Sequence, residues 1–371
     1  MSKVKVLIAD DSVVYRSQIR ASLEDSSWIE VVGTASNGRQ AIERLTGSAI
    51  DLLILDLEMP VLDGLETLRE MQKLSLKTKV ILFSSSSKRG AEITLEALRL
   101  GASDFISKPS SDASNTNEPF QNPAEKIKKL LLPKVSVLFP HVAPAVTTSS
   151  APMTTSKTET SFVKVLWEAM RPQVILIGSS TGGPTVLEKI FSDLGSSVDC
   201  PILIAQHMPP IFTASFAERL SRCSGIPASE AKHGMVLEKN HIYVAAGNYH
   251  MRVQGTRDHA TLVLDQGPQI HSVRPAVDPL FVSAASVFKD KCLAFVLTGM
   301  GEDGKDGAVA VKKSSGAVVI QNESTCVVYG MPKAVFSSGA YDKIATPQEI
   351  TSIIRDKVGV SRTSAAASGD K

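Results

Sequence analysis

The feature that most constrains this chain is an alternation that stops and then starts again. Short apolar runs of strand length (Val4–Ala9, Ile29–Val32, Leu52–Leu55, Val80–Phe83 and Phe105–Ile106) are separated by segments with apolar residues at helical spacing. Strands that read as continuous apolar runs are buried on both faces, so this half predicts a parallel sheet covered by helices on each side. From Ser110 to near Ser161 the pattern dissolves into Ser, Thr, Pro and Asn, which offer no apolar face to bury. It returns in Val174–Ile177, Ile202–Ala205, Leu293–Leu297 and Ala317–Ile320, each leading into a loop and a helix-like segment. His250–Val253 and Thr261–Leu264 read as a small antiparallel insertion in this second, doubly wound, mostly parallel sheet. The expected organisation is therefore two α/β domains, 1–132 and 172–362, with a flexible linker at 133–171 and a disordered tail at 363–371. A chain of 371 residues suits that division.

Inside the seam, Asn122-Pro123-Ala124-Glu125 reads as an N-cap followed by Pro at the first helical position. Ile127, Leu130 and Leu131 then share a stripe, so the last helix of the first domain is expected to end near Leu132. Phe162–Met170 reads as a connector helix or as linker. With 40 Lys+Arg against 38 Asp+Glu the net charge is +2, too balanced for a nucleic-acid coat. No apolar run reaches the ~18 residues of a membrane span. Val4–Ala9 is too short for a secretory core and runs into Asp10 and Asp11, so a cytoplasmic protein is expected. Cys200, Cys223, Cys292 and Cys326 are far apart, which points to buried free thiols rather than to zinc or disulfides.

Sites in open parallel sheets form outside the carboxyl ends of the strands. In the first domain those ends carry Asp10-Asp11, Asp56, Ser84 and Lys108-Pro109. Three converging carboxylates repel one another and need a cation, and an all-oxygen set suits Mg²⁺. A lysine and a hydroxyl beside them are placed to hold phosphoryl oxygens, which implies an aspartyl phosphate. V-L-I-A-D-D-S (6–12), L-I-L-D-L-E-M-P-V-L-D-G (53–64) and G-A-S-D-F-I-S-K-P (101–109) resemble the receiver domain of two-component response regulators. The resemblance implies a flavodoxin-like (βα)5 order, phosphorylation of Asp56 by a histidine kinase, and Mg²⁺ held by Asp10, Asp11 and Asp56. It also puts Ser84 and Phe105 at the positions that sense the phosphoryl group, and pairs Lys108 with it.

In the second domain Gly178-Ser179-Ser180-Thr181-Gly182 follows a strand and precedes a helix opening at Pro184. The pattern fits a turn that exposes a serine nucleophile, a cradle for phosphate, or only a tight turn. The neighbouring strand ends favour the nucleophile. Ile202–Ala205 runs into Gln206-His207, and Leu293–Leu297 runs into Thr298-Gly299-Met300-Gly301-Glu302-Asp303. Ser180, His207 and Asp303 then share one sheet edge: the imidazole, with an intrinsic pKa near neutrality, takes the serine proton, and the acid orients the imidazole. Their order, Ser…His…Asp, is not that of α/β-hydrolases.

I-G-S-S-T-G-G-P (177–184), A-Q-H-M-P-P (205–210), R-P-A-V-D (274–278), L-T-G-M-G-E-D-G (297–304) and Q-N-E-S-T-C-V-V-Y-G-M-P (321–332) resemble the bacterial chemotaxis protein-glutamate methylesterases, the CheB family. That resemblance implies hydrolysis of glutamate methyl esters and deamidation of glutamines on methyl-accepting chemoreceptors, by a Ser180–His207–Asp303 triad needing no cofactor. Thr181 and the backbone around Met300 would lie beside the oxyanion. Glu302 stands where the family often has Asn, adding a second carboxylate as an alternative partner for His207. Arg274 either contacts an acidic receptor segment or only precedes the helix Asp278–Phe288, and Gly330-Met331-Pro332 reads as a helix start. A long seam would let the receiver restrain the esterase until Asp56 is phosphorylated. The competing classes are a response regulator whose second domain only binds a nucleotide at the Gly-rich turn, and a DNA-binding output. The latter lacks both a helix-turn-helix pattern and a basic stripe.

Overall fold

Each apolar run of the N-terminal half is a strand in the computed structural model, which describes residues 3–109, 122–144 and 167–359. The chain divides into two units, Met1–Thr158 and Glu159–Lys371. In the first, β1 (Val4–Ala9), β2 (Ile29–Ala35), β3 (Leu52–Asp56), β4 (Lys79–Ser84) and β5 (Asp104–Ser107) form a parallel sheet in the order β2-β1-β3-β4-β5. Helices α1 (Val13–Glu24), α2 (Gly38–Gly47), α3 (Gly64–Lys73) and α4 (Lys88–Arg99) follow the first four strands in turn. Each starts on a side-chain cap: Ser12, Asn37, Asp63 in a reciprocal box with Glu66, and Ser87. Caps of this kind stabilise a helix start by about 1 kcal/mol each and fix the loops that leave the strand ends.

The last helix of this unit, α5 (Pro123–Leu138), runs past the expected end at Leu132 and through Pro133. Its buried stripe is Ile127, Leu131, Val135 and Leu138, while Leu130, assigned to the stripe from spacing, is 43% exposed. A proline inside a helix costs about 3 kcal/mol, and burying Val135 and Leu138 contributes roughly 1.5–3 kcal/mol each, so burial carries the helix on.

In the second unit, β6 (Val174–Ser179), β7 (Ile202–Gln206), β8 (Ala228–Glu230) and β9 (Ile242–Val244) are followed by the antiparallel pair β10 (His250–Thr256) and β11 (His259–Asp265). β12 (Cys292–Val296), β13 (Ala317–Gln321) and β14 (Lys343–Ala345) complete a seven-stranded parallel sheet, β14-β13-β12-β6-β7-β9-β8. The helices are α6 (Gly183–Leu194), α7 (Phe212–Ser224), α8 (Val277–Phe288), α9 (Lys305–Lys313), α10 (Met331–Ser338) and α11 (Pro347–Val358). The chain leaves β6 toward β7 and leaves β12 toward β13, on opposite sides. The crevice beyond β6 and β12 is thus the topological switch point, where such sheets bind ligands.

Of the expected connector Phe162–Met170, the short 3-10 turn Trp167–Ala169 is described; residues 162–166, most of the seam and the tail 363–371 lie outside the described residues. All four cysteines are free, with Cys200 and Cys292 buried and Cys223 and Cys326 only half-buried. No helix among the described residues is long and apolar enough to cross a membrane.

Candidate active site and candidate metal centre

The switch-point crevice of the second unit gathers the three residues picked out from its strand ends. β6 and β7 pair as far as Ser179 and Gln206, and the His207 N–H donates to the Ser179 carbonyl at 3.1 Å. Ser180 and His207 are therefore the first residues beyond two adjacent strands. Ser180 is tied on its other side to the loop after β12, donating its N–H to the Thr298 carbonyl at 3.0 Å.

His207 Nε2 lies 2.7 Å from Asp303 Oδ2. Asp303 is buried and accepts three further bonds, from the N–H groups of Val277 (2.6 Å), Asp278 (3.0 Å) and Gly304 (2.9 Å). Two of those donors open α8, whose cap residue Ala276 supplies no side-chain acceptor. Asp303 thus caps a helix from outside it, with its charge at the positive end of the helix dipole. Burial works to raise its carboxyl pKa, but the hydrogen bond and charge of His207 and the bonds from Val277 and Asp278 outweigh burial and hold it below the ordinary value. Glu302, the alternative acid, is 62% exposed and pairs with Lys305 at 3.1 Å.

Clearance around Ser180 is small. Gly182, at φ 79°, begins the turn into α6, and a β-carbon there would come within 2.7 Å of Val327. A β-carbon on Gly299 would meet Ser180 Cβ at 2.8 Å. Gly299 exchanges backbone bonds with Val328, Gly330 and Met331, so Gly330-Met331-Pro332 both starts α10 and clamps the Thr298–Met300 loop against Ser180. Thr181 is buried, and Met300, next to Gly299, is half-buried. Arg274 donates to Asn248 Oδ1 and to the carbonyls of Gln266 and Gly267, so it ties loops of its own unit together.

Sequence reasoning gave no role to the polar side chains that fasten this edge. Gln206 accepts from the Ser179 hydroxyl (2.6 Å) and donates to the Ser180 carbonyl (2.9 Å). The Thr298 hydroxyl donates to the Thr181 carbonyl (2.9 Å), and Gln321 Oε1 accepts the Thr298 N–H (2.9 Å). The signal was available: each is the polar residue that ends or directly follows an otherwise apolar run, and a buried polar group at such a place must be satisfied.

In the first unit, Asp10 and Asp56 are buried and Asp11 is exposed. One carboxylate oxygen from each lies within 4.8 Å of the others. Lys108 Nζ stands 2.7 Å from Asp56 Oδ2 and 3.2 Å from Asp10 Oδ2, over the rings of Tyr15 and Phe83. Those two carboxylate oxygens accept no hydrogen bond of good geometry, so this hard, all-oxygen set fits a divalent cation such as Mg²⁺. The Ser84 hydroxyl is turned onto α4, 2.6 Å from Thr94 Oγ1, and Phe105 is buried.

Burial, with the charge of Asp10 adding to it against the pull of Lys108, pushes Asp56 up to about 6. A carboxyl that binds its proton more tightly folded than unfolded loses stability on ionising, here as pH rises from near 4 through about 6. Asp56→Asn is therefore expected to stabilise the first unit at neutral pH by ~1–2 kcal/mol, net of the lost Lys108 pairing, with the gain fading towards pH ~4. Millimolar Mg²⁺ should raise the wild-type melting temperature and leave that of Asp56→Asn nearly unmoved. Calorimetry at two pH values, with and without Mg²⁺, checks both.

Comparison with known proteins follows the same division. Residues 175–354 match the family described as CheB methylesterase, and residues 6–116 match the response regulator receiver domain. The chain is 38% identical to a protein-glutamate methylesterase/protein-glutamine glutaminase of Clostridium acetobutylicum, over 96% of this chain and 99% of that one. A protein of the same name from Trichodesmium erythraeum is also 38% identical, covering 97% and 100%. Among solved structures, the Thermotoga maritima CheB methylesterase catalytic domain is 38% identical, with a TM-score of 0.48, covering 50% of this chain and 99% of that one. With relatives this similar over nearly its whole length, and with a receiver sheet followed by a methylesterase sheet, the chain belongs to the CheB family of protein-glutamate methylesterases/protein-glutamine glutaminases.

Proposed function

We propose that this protein hydrolyses glutamate methyl esters on methyl-accepting chemoreceptors in the cytoplasm, releasing methanol, and deamidates particular receptor glutamines, under control of phosphorylation at Asp56. The observation that carries the reading is the buried Asp303, bound to His207 on the strand end beside Ser180. With Nε2–H donated to Asp303, His207 Nδ1 carries the free lone pair that takes the Ser180 proton as Oγ attacks the ester carbonyl. Backbone N–H groups around Thr181, just ahead of α6, and around Met300, in the loop after β12, face the oxyanion. The imidazolium then gives its proton to the departing methoxide, or to the amide nitrogen, which leaves as ammonia, and water hydrolyses the remaining serine ester to release the glutamate.

In the receiver, Asp56 takes a phosphoryl group from a histidine kinase, with Asp10 and Asp11 completing the Mg²⁺ site. The ion supplies neutralisation of the charge between carboxylate and phosphoryl group. Lys108 pairs with a phosphoryl oxygen, and the Ser84 hydroxyl leaves Thr94 to bind another, with Phe105 following. Shifting a restrained site from 1:99 to 99:1 takes ~5.5 kcal/mol, and two or three such bonds supply part of that, so partial relief of a strong block, or full relief of a modest one, is expected.

The test is methanol release from methylated chemoreceptor by full-length protein, with and without a small phosphodonor. Release that rises with the donor, and fails to rise in Asp56→Asn, is the expected result. No release under either condition overturns the esterase reading. Equal rates despite labelling of Asp56 overturn the control by phosphorylation.

A further inference from the structure

The acid of the triad has a second acid behind it. Asp278, whose N–H Asp303 accepts, has its own side chain only 9% exposed. Its Oδ1 accepts the N–H of Gly307 at 2.7 Å, and its Oδ2 lies 3.3 Å from His271 Nε2. A second His–Asp pair, His271–Asp278, thus abuts the first, with the His271 side chain 40% exposed at the outer end.

The turn that holds His271 is an unusual one. Ile270 and Val273 exchange both backbone hydrogen bonds, at 3.2 and 3.0 Å. His271 and Ser272 between them have φ 52° and 62°. Two positive φ values make the primed turn that Asn and Gly normally fill, so the backbone is held where an imidazole is unfavourable.

The groups facing Asp278 are few. Asp303 comes from the loop after β12, Asp306 from the first turn of α9, and His271 from the turn. Asp303 in turn faces His207. Burial, then the charge of Asp303, pushes Asp278 up to about 6, so its charge changes not far below neutral pH.

We propose that Asp278 is a positioning residue for the esterase, which with His271 as its outer partner sets the charge behind the His207–Asp303 pair. The proposal rests on the esterase reading above. A second negative charge behind Asp303 favours the imidazolium formed when His207 takes the serine proton. Losing it weakens that step and moves the acid limb of kcat/KM to lower pH.

The experiment is the pH profile of methanol release by full-length wild type, Asp278→Asn, His271→Asn and the double variant. Asparagine at 278 keeps an acceptor for the Gly307 N–H, and asparagine at 271 suits the positive φ. Asp278→Asn is expected to lower the acid-limb midpoint by at least about half a pH unit, with kcat reduced and KM little changed. His271→Asn should move the midpoint when Asp278 is present and do nothing in the Asp278→Asn background. An unmoved midpoint in Asp278→Asn, or the same shift from His271→Asn in both backgrounds, overturns the proposal. Should Asp278→Asn fail to melt cooperatively, the His271→Asn profile decides, and one identical to wild type overturns it. Absence of methanol release by wild type defeats the esterase reading instead, so the two failures are told apart.

Discussion

Ser180→Ala and His207→Ala are each expected to lower methanol release by roughly 10⁴-fold or more, and the double variant no further. Each residue is useless to the reaction without the other, since a serine with no base keeps its proton and a base with no serine has nothing to activate. The residual rate is that supplied by the backbone donors and by substrate positioning alone. Fold should survive both changes, because Ser180 is held through its backbone N–H and carbonyl and His207 through its N–H. Single-turnover measurement on methylated receptor, alongside thermal melts, checks the pair. Full multiplication of the two losses would mean that the residues act separately and that the triad assignment is wrong.

Asp303→Ala carries the second large effect, and it has two parts. Activity should fall by about 10²–10⁴-fold as the imidazole loses its partner. Stability should fall as well, by about 3 kcal/mol or more, because three buried N–H groups are left without an acceptor at ~1–3 kcal/mol each. Glu302→Ala is expected to be nearly silent in both, since that side chain is exposed and engaged with Lys305. If Glu302→Ala crippled release and Asp303→Ala did not, the acid would have to be reassigned. Denaturant melts read beside the rate separate the two losses in Asp303→Ala.

Both sheets were legible from the apolar runs because strands buried on both faces read as continuous apolar stretches of strand length, which run length and flanking turns identify, and β1 matches its run at both ends. The three-residue strands β8, β9 and β14 were not, since so few residues carry no periodicity. Leu132 reads as a helix end because local spacing cannot weigh Pro133 against the burial of Val135 and Leu138 farther on. The site was legible to the extent that it hangs on strand ends. Spacing led to Ser180, His207 and Asp303 but could not choose between Asp303 and its neighbour Glu302 as the partner of His207. That choice depends on which carboxylate reaches the first N–H groups of α8, a contact between segments more than twenty residues apart. His271 escaped for the same reason, reaching Asp278 through a turn rather than along a strand.

The interlock around the serine turn bears on how this chain can diverge. Gly182 faces Val327, and Gly299 faces both Ser180 and Met331, with no room for one more carbon at either glycine. Substitutions at these places therefore cannot be accepted one at a time. A side chain at 182 requires a smaller residue at 327, and any change at 299 requires the 328–331 stretch to move with it. Descendants of this sequence should drift at these positions in concert or not at all. Anyone seeking to widen the cleft for a bulkier ester must therefore redesign two distant loops as one unit.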